Sequence, residues 1–114
     1  MQFKRFEDII VWQKAKVFTL KIYGTFKLNK DFNFRDQIQR ASISIMNNIA
    51  EGFERKGNKE FIKFLFIAKG SCAEVRSMLH LAFLLKYINL SDYKTLLFNS
   101  EEISKMLSGL IKSL

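Results

Sequence analysis

Arg40, Ser44, Asn48 and Glu51 follow one another at spacings of four, four and three residues, which on a helix of about 3.6 residues per turn stacks them along one face. With Asn47 beside them, that face carries a guanidinium, a hydroxyl, two amides and a carboxylate. These groups donate and accept hydrogen bonds, yet they include no nucleophile with a base at its side. The chemistry open to them is recognition: a polar network closed between helices or subunits, or a groove that reads a ligand. The structural reading is favoured, because Glu51 supplies a partner for Arg40 or Arg55, and such a network fixes register more than it adds stability.

Residues that could do covalent or metal chemistry are sparse. His80 is the single histidine and Cys72 the single cysteine, which excludes a metal cage built from those two types alone. Eight residues apart on a helix, they stand about 12 Å apart along the axis, too far for a Cys-His nucleophile pair. Gly70-Ser71-Cys72 lacks the strand-turn-helix setting of a nucleophile elbow. Gly52 and Gly57 form no phosphate-cradling loop, for neither Gly-Lys-Ser nor Gly-Lys-Thr follows them. Glu51, Glu60 and Glu74 raise the question of a carboxylate metal bundle, but no Glu-x-x-His occurs. The sequence therefore predicts a non-enzyme with no catalytic residues, no metal and no cofactor.

Charge is the stronger signal. The 114 residues carry 19 Lys or Arg against 11 Asp or Glu, a formal +8, and a positive field on so small a body attracts polyanions. The excess is uneven: it is net +4 up to Phe34, net +3 from Lys59 to Lys86, and zero from Tyr87 onward. Lys4, Arg5, Lys14, Lys16 and Lys21, with Arg55, Lys56, Lys59, Lys63 and Lys69, are the predicted phosphate contacts. Contacts of that kind give affinity and salt dependence without sequence readout. Trp12 and Tyr23 could stack on bases, although aromatics at helical spacing belong more often to a core. The rival reading is a protein-interaction scaffold with an acidic partner and incidental charge. A membrane partner is not expected, since the longest apolar runs, Phe64 to Ala68 and Leu81 to Leu85, are each closed by a lysine. Glu7 and Asp8 interrupt the start before a signal-peptide core can form. One cysteine suits a reducing compartment, and the protein is expected to be soluble and cytoplasmic.

The elements that must position these residues are helices. With no proline and only 5 glycines, the chain lacks the turn signals of an all-β protein. Val11, Ala15, Phe18, Ile22 and Phe26 mark a first helix over about Phe6–Phe26, followed by a loop from Leu28 to Asn33. Asn33 is the expected N-cap of a second helix, Phe34 to about Arg55, with Ile38, Ala41, Ile45 and Ile49 as its apolar stripe. Gly57-Asn58 turns the chain into a third helix, Lys59–Lys86, with Phe61, Leu65, Ala68, Cys72, Val75 and Leu79 facing inward, widened by Phe64, Met78, Ala82 and Phe83. After a turn at Tyr87–Leu90, Ser91 is the expected N-cap of a fourth helix striped with Tyr93, Leu96, Leu97, Ile103, Leu107, Leu110 and Leu114. Four amphipathic helices on short loops predict an all-α, antiparallel up-down-up-down bundle forming a single domain over residues 1–114.

Two helices carry more apolar surface than one stripe requires. Ile10, Val17 and Leu20 lie opposite the core stripe of the first helix, and Ile62, Phe66, Ala73 and Leu84 lie off that of the third, near the small residues Gly70 and Ser77. Contiguous exposed apolar surface marks an interface, so a homo-oligomer is expected, with Ile10, Val17, Leu20, Ile62, Phe66 and Ala73 at its contacts. A closed ring or dimer would repeat the flanking lysines and multiply a weak basic patch.

Several segments carry a family likeness: Phe6-Glu-Asp-Ile-Ile-Val-Trp-Gln-Lys-Ala15, Gln37-Ile-Gln-Arg-Ala41, Asn48-Ile-Ala-Glu-Gly-Phe53, and Lys59-Glu-Phe-Ile-Lys-Phe-Leu-Phe-Ile-Ala-Lys-Gly-Ser71 with Glu74. Through them the chain resembles the small four-helix bundle proteins first described as reading frames in intervening sequences of bacterial 23S ribosomal RNA genes. The resemblance implies a homopentameric ring without assigned catalytic activity. It also implies kinship with the accessory variability protein of diversity-generating retroelements, a basic bundle associated with nucleic acid, and so a reverse transcriptase or another nucleic-acid enzyme as partner. Two positions depart from the family pattern. Gln39 stands where a second arginine is common, and Met46 where proline is common, which predicts a straighter second helix here.

Overall fold

The computed structural model describes residues 3–114, in which a short 3-10 turn, Phe6–Asp8, precedes four helices: α1 Ile10–Phe26, α2 Phe32–Glu54, α3 Gly57–Leu84 and α4 Leu90–Ser113. No strand occurs among the described residues. Each helix packs against its neighbours in sequence, and α1 closes the square against α4, while the backbones of the diagonal pairs stay apart. Connections of five residues or fewer between helices this long leave room only for reversal of direction, so the four form an antiparallel bundle. The body is 43 Å long and 22 × 19 Å across.

The apolar periodicity becomes the core. Val11, Ala15, Phe18, Ile22 and Phe26 are buried, as are Ile38, Ala41, Ile45 and Ile49 on α2 and Phe61, Leu65, Ala68, Cys72, Val75 and Leu79 on α3. From α4, Leu96, Ile103 and Leu107 are buried, whereas Tyr93, Leu97, Leu110 and Leu114 are half-buried. Each fully buried large side chain contributes about 1.5–3 kcal/mol by leaving water. Two core residues lie between the helices, Ile9 and Ile88.

Ile9 explains why the first helix starts later than the periodicity from Phe6 predicts. Its backbone is extended, at φ −76° and ψ 119°, which turns its side chain into the core and folds Phe6 back edge-on against Trp12, with ring centroids 5.1 Å apart. The expected caps also move by two residues. Asp31, not Asn33, caps α2, its Oδ1 accepting from the Phe34 amide at 3.2 Å. The Tyr87 hydroxyl donates to Asp31 Oδ2 at 2.7 Å, and these two bonds, the Tyr87 bond foremost, hold the Asp31 carboxyl below its usual value. Asn89, not Ser91, caps α4, accepting from the Asp92 amide at 2.7 Å. Asn89 is extended, at φ −80° and ψ 169°, and Asp31 is non-helical, at φ −77° and ψ 82°, and each aims its side chain at the N3 amide. Gly57 at φ +83° opens α3 instead of separating it from α2. At its far end α3 stops at Leu84 instead of Lys86, because Lys86 turns left-handed at φ 63° and the Tyr87 amide bonds back to the Ala82 carbonyl at 2.8 Å.

α2 runs unbroken through Met46 across 23 residues. The long α2–α3 contact depends on Gly52, where an added Cβ would stand 2.5 Å from Phe64 Cβ and 3.2 Å from Phe61 Cδ1. Gly70, on the same hairpin, has nothing within 4 Å. In urea denaturation Gly52→Ala is therefore expected to destabilise by about 1–3 kcal/mol, and Gly70→Ala to stabilise by up to about 1 kcal/mol through helix propensity. Equal effects at the two glycines would contradict the close approach.

Candidate nucleic-acid interface

The polar face of α2 divides. Ser44 Oγ lies 2.9 Å from Ser71 Oγ on α3, and Asn48 Nδ2 donates to the Ser44 carbonyl at 2.8 Å and to its hydroxyl at 3.0 Å. These three half-buried residues form a small tie between α2 and α3. Glu51 pairs instead with Arg55, one turn on, at 3.0 Å. Arg40 belongs to neither group: eleven residues from Glu51, it is about 16 Å away along the helix. It lies with Tyr23, Asp36, Gln39 and Ile43 around a shallow depression on the α1–α2 side, while Asp36 is held by Arg35 at 3.0 Å. A second polar tie carried no pattern in the sequence. The buried Thr19 hydroxyl lies 2.8 Å from the Ala15 carbonyl and 3.1 Å from that of Ser42, joining α1 to α2.

Cys72 and His80 do not meet. The buried thiol donates to the Ser100 carbonyl at 3.1 Å, and burial pushes it up to about 11 against the opposing pull of Arg76, so it stays protonated and unreactive at neutral pH. His80 Nδ1 lies 2.8 Å from the Tyr93 hydroxyl. Among the described residues no cluster of three His, Cys, Asp or Glu could hold a metal, and no helix is long and apolar enough to cross a membrane.

The predicted phosphate contacts form three groups. Phe3 shares a depression with Phe53, Arg55 and Gly57, which brings the neighbouring Lys4 and Arg5 to the end of the bundle where Arg55, Lys56 and Lys59 turn from α2 into α3. Arg55 lies over the Phe64 ring, 5.0 Å from its centroid, and Arg5 leans toward Glu7 and Asp8 at 3.7 and 3.8 Å. Lys63 is exposed one turn beyond Lys59. Along α1, Lys14 is bridged to Glu102 of α4 at 3.4 Å, Lys16 covers the Trp12 ring at 5.2 Å, and Lys21 is exposed. Trp12 is half-buried at the core edge, and Tyr23 is the more exposed of the two candidate stacking aromatics. Lys69 stands apart from both groups, half-buried between α3 and α4.

Lys69 leads to residues that a sum of charge along the chain overlooks. A groove of about 520 Å³ between α3 and α4 is lined by Lys69, Arg76, Lys105 and Lys112, with Glu101, Ser104, Ser108 and Gly109. Summing charge over the fourth helix hides this, because Glu102 turns to α1 while Lys105 and Lys112 turn to α3. The signal that would have found the groove is the recurrence of cations seven residues apart, at 69 and 76 and at 105 and 112.

Outside the core, Ile10, Val17 and Leu20 on α1 are 53, 48 and 67% exposed, and Phe66 on α3 is 56% exposed. Ala73 is exposed and Ile62 half-buried. Ile10 and Val17 also line an open groove between α1 and α4 of about 360 Å³.

A family model described as 23S rRNA-intervening sequence protein matches residues 7–109. A crystal structure of a protein of unknown function from the S23 ribosomal protein family of Bacteroides thetaiotaomicron superposes with a TM-score of 0.84 at 31% identity, covering 90% of this chain and 98% of that one. No curated protein matches the chain in sequence.

Proposed function

The chain belongs to the family of 23S rRNA-intervening sequence proteins, and on that premise we propose that it is a non-enzymatic, self-assembling bundle whose basic surface holds RNA or single-stranded DNA. The observation that carries the reading is uncompensated positive charge on a rigid body. Of a net +8, ion pairs among the described residues engage only Arg5, Lys14, Arg35 and Arg55. Lys16, Lys21, Lys56, Lys59 and Lys63 are left to solvent or a polyanion. Exposed apolar seams on α1 and α3 support self-association, and the homopentameric ring implied by the resemblance would present the cations five times over. A nucleic-acid enzyme, such as a reverse transcriptase, is the partner such an accessory would serve. Cys72, kept protonated by burial, and His80, which meets the Tyr93 hydroxyl and not a nucleophile, support a role without catalysis.

Binding of RNA, single-stranded DNA and duplex of equal length, measured against salt, tests the reading. Affinity is expected to fall steeply with salt. Replacing Lys14, Lys16 and Lys21 with glutamine is expected to weaken it and to flatten the slope by about 0.7 for each phosphate of a single strand that no longer meets a cation. Lys14, already neutralised by Glu102, contributes least. Absence of binding at low salt overturns the proposal in favour of a scaffold for an acidic protein, which a pull-down after nuclease treatment would recover.

A further inference from the structure

We propose that the groove between α3 and α4 is the track for the sugar-phosphate backbone of a single nucleic-acid strand, an inference that rests on the function proposed above and joins Arg76, Lys105 and Lys112, outside the predicted set, to the predicted Lys69. Lys69 and Arg76 line it from α3, and Lys105 and Lys112 from α4. Residues seven apart on a helix return to nearly the same face about 10.5 Å along the axis, so each side carries two cations in line. Among the described residues none of the ion pairs engages any of these four, in contrast to Lys14, Arg35 and Arg55. Glu101 is the one carboxylate lining the groove among the described residues. Four cations against one anion between low-dielectric walls focus positive potential into the trough.

The rest of the lining suits phosphate oxygen. The hydroxyls of Ser42, Ser100 and Ser113 are taken up by carbonyls three residues back. Among the described residues no hydrogen bond engages the hydroxyl of Ser104 or of Ser108, so both can donate into the groove. At Gly109 a Cβ would meet nothing within 4 Å, which leaves that stretch open to a backbone. Among the described residues no aromatic lines the groove, so bases have nothing to stack on there and the contact is indifferent to sequence. Packed helices lie about 8–10 Å apart; the trough between two of them seats one strand, whereas a duplex would touch only its rims.

The test is fluorescence anisotropy of the full chain with uridine and thymidine 20-mers and a duplex of the same length, from 0.05 to 0.5 M salt. Lys105→Gln/Lys112→Gln is expected to lower the salt slope by about 1.4 and to weaken binding near 0.1 M by about 25-fold, the effect of two single-strand phosphates left without a cation. Lys105→Arg/Lys112→Arg, which keeps both charges, is expected to retain the slope. Equal weakening with the two 20-mers assigns the shared phosphodiester, and weakening confined to the uridine strand assigns RNA; either supports the track. A glutamine variant that binds like the wild type overturns the track while leaving the proposed function standing; tighter binding of duplex than of strand overturns the track and, with it, the preference for RNA or single-stranded DNA. A wild type that binds no strand at low salt overturns both.

Discussion

If the protein self-associates as proposed, Leu20→Glu is expected to leave it monomeric with its helical content unchanged. Leu20 is 67% exposed on α1 and so contributes little to its own protomer's core. In an assembly its burial contributes about 1.5–3 kcal/mol per subunit, and a buried glutamate without a partner costs more than the leucine contributed. In a ring every interface carries the substitution, so the effects multiply. Light scattering across a concentration series reads the outcome. A wild type that scatters as a 13.4 kDa monomer throughout would remove the assembly, and with it the repeated display of cations.

Phe61→Ala is expected to cost about 3–5 kcal/mol in chemical denaturation, a large share of the roughly 5–15 kcal/mol that holds a domain of this kind together. Phe61 is 2% exposed, lies edge-on to Phe53 with ring centroids 5.8 Å apart, and sits against Gly52, where α2 and α3 approach closely. The cavity left by its ring cannot collapse easily, because the neighbouring atoms are held by two helix backbones. Phe66, five residues along the same helix, points outward. Phe66→Ala is expected to leave protomer unfolding nearly unchanged and to weaken assembly. If both substitutions destabilised the protomer equally, the two-faced reading of α3 would fail.

Much of the fold was legible because the apolar periods of Val11 to Phe26, Ile38 to Ile49 and Phe61 to Leu79 are long, regular and free of proline. Helix ends were less legible. Asn33 and Ser91 have good capping side chains, yet Asp31 and Asn89 take the role, since a cap requires a non-helical backbone at that residue and a free amide in reach, and sequence shows neither. Buried Ile9 likewise breaks a periodicity that otherwise continues through it.

At the surface the divide is sharper. Residue types and spacing by themselves determined an all-helical bundle, its main core stripes, its excess of positive charge and its surplus apolar seams, because each of these is a property of one helix or of the whole composition. Only the tertiary structure decided that Arg40 stands apart from the Ser44–Asn48–Ser71 tie, that Lys14 is neutralised by Glu102, and that Lys69, Arg76, Lys105 and Lys112 share one groove. Those placements depend on the rotation of each helix about its axis and on which helix lies beside it. Core packing between helices fixes that geometry, and no count along the chain contains it.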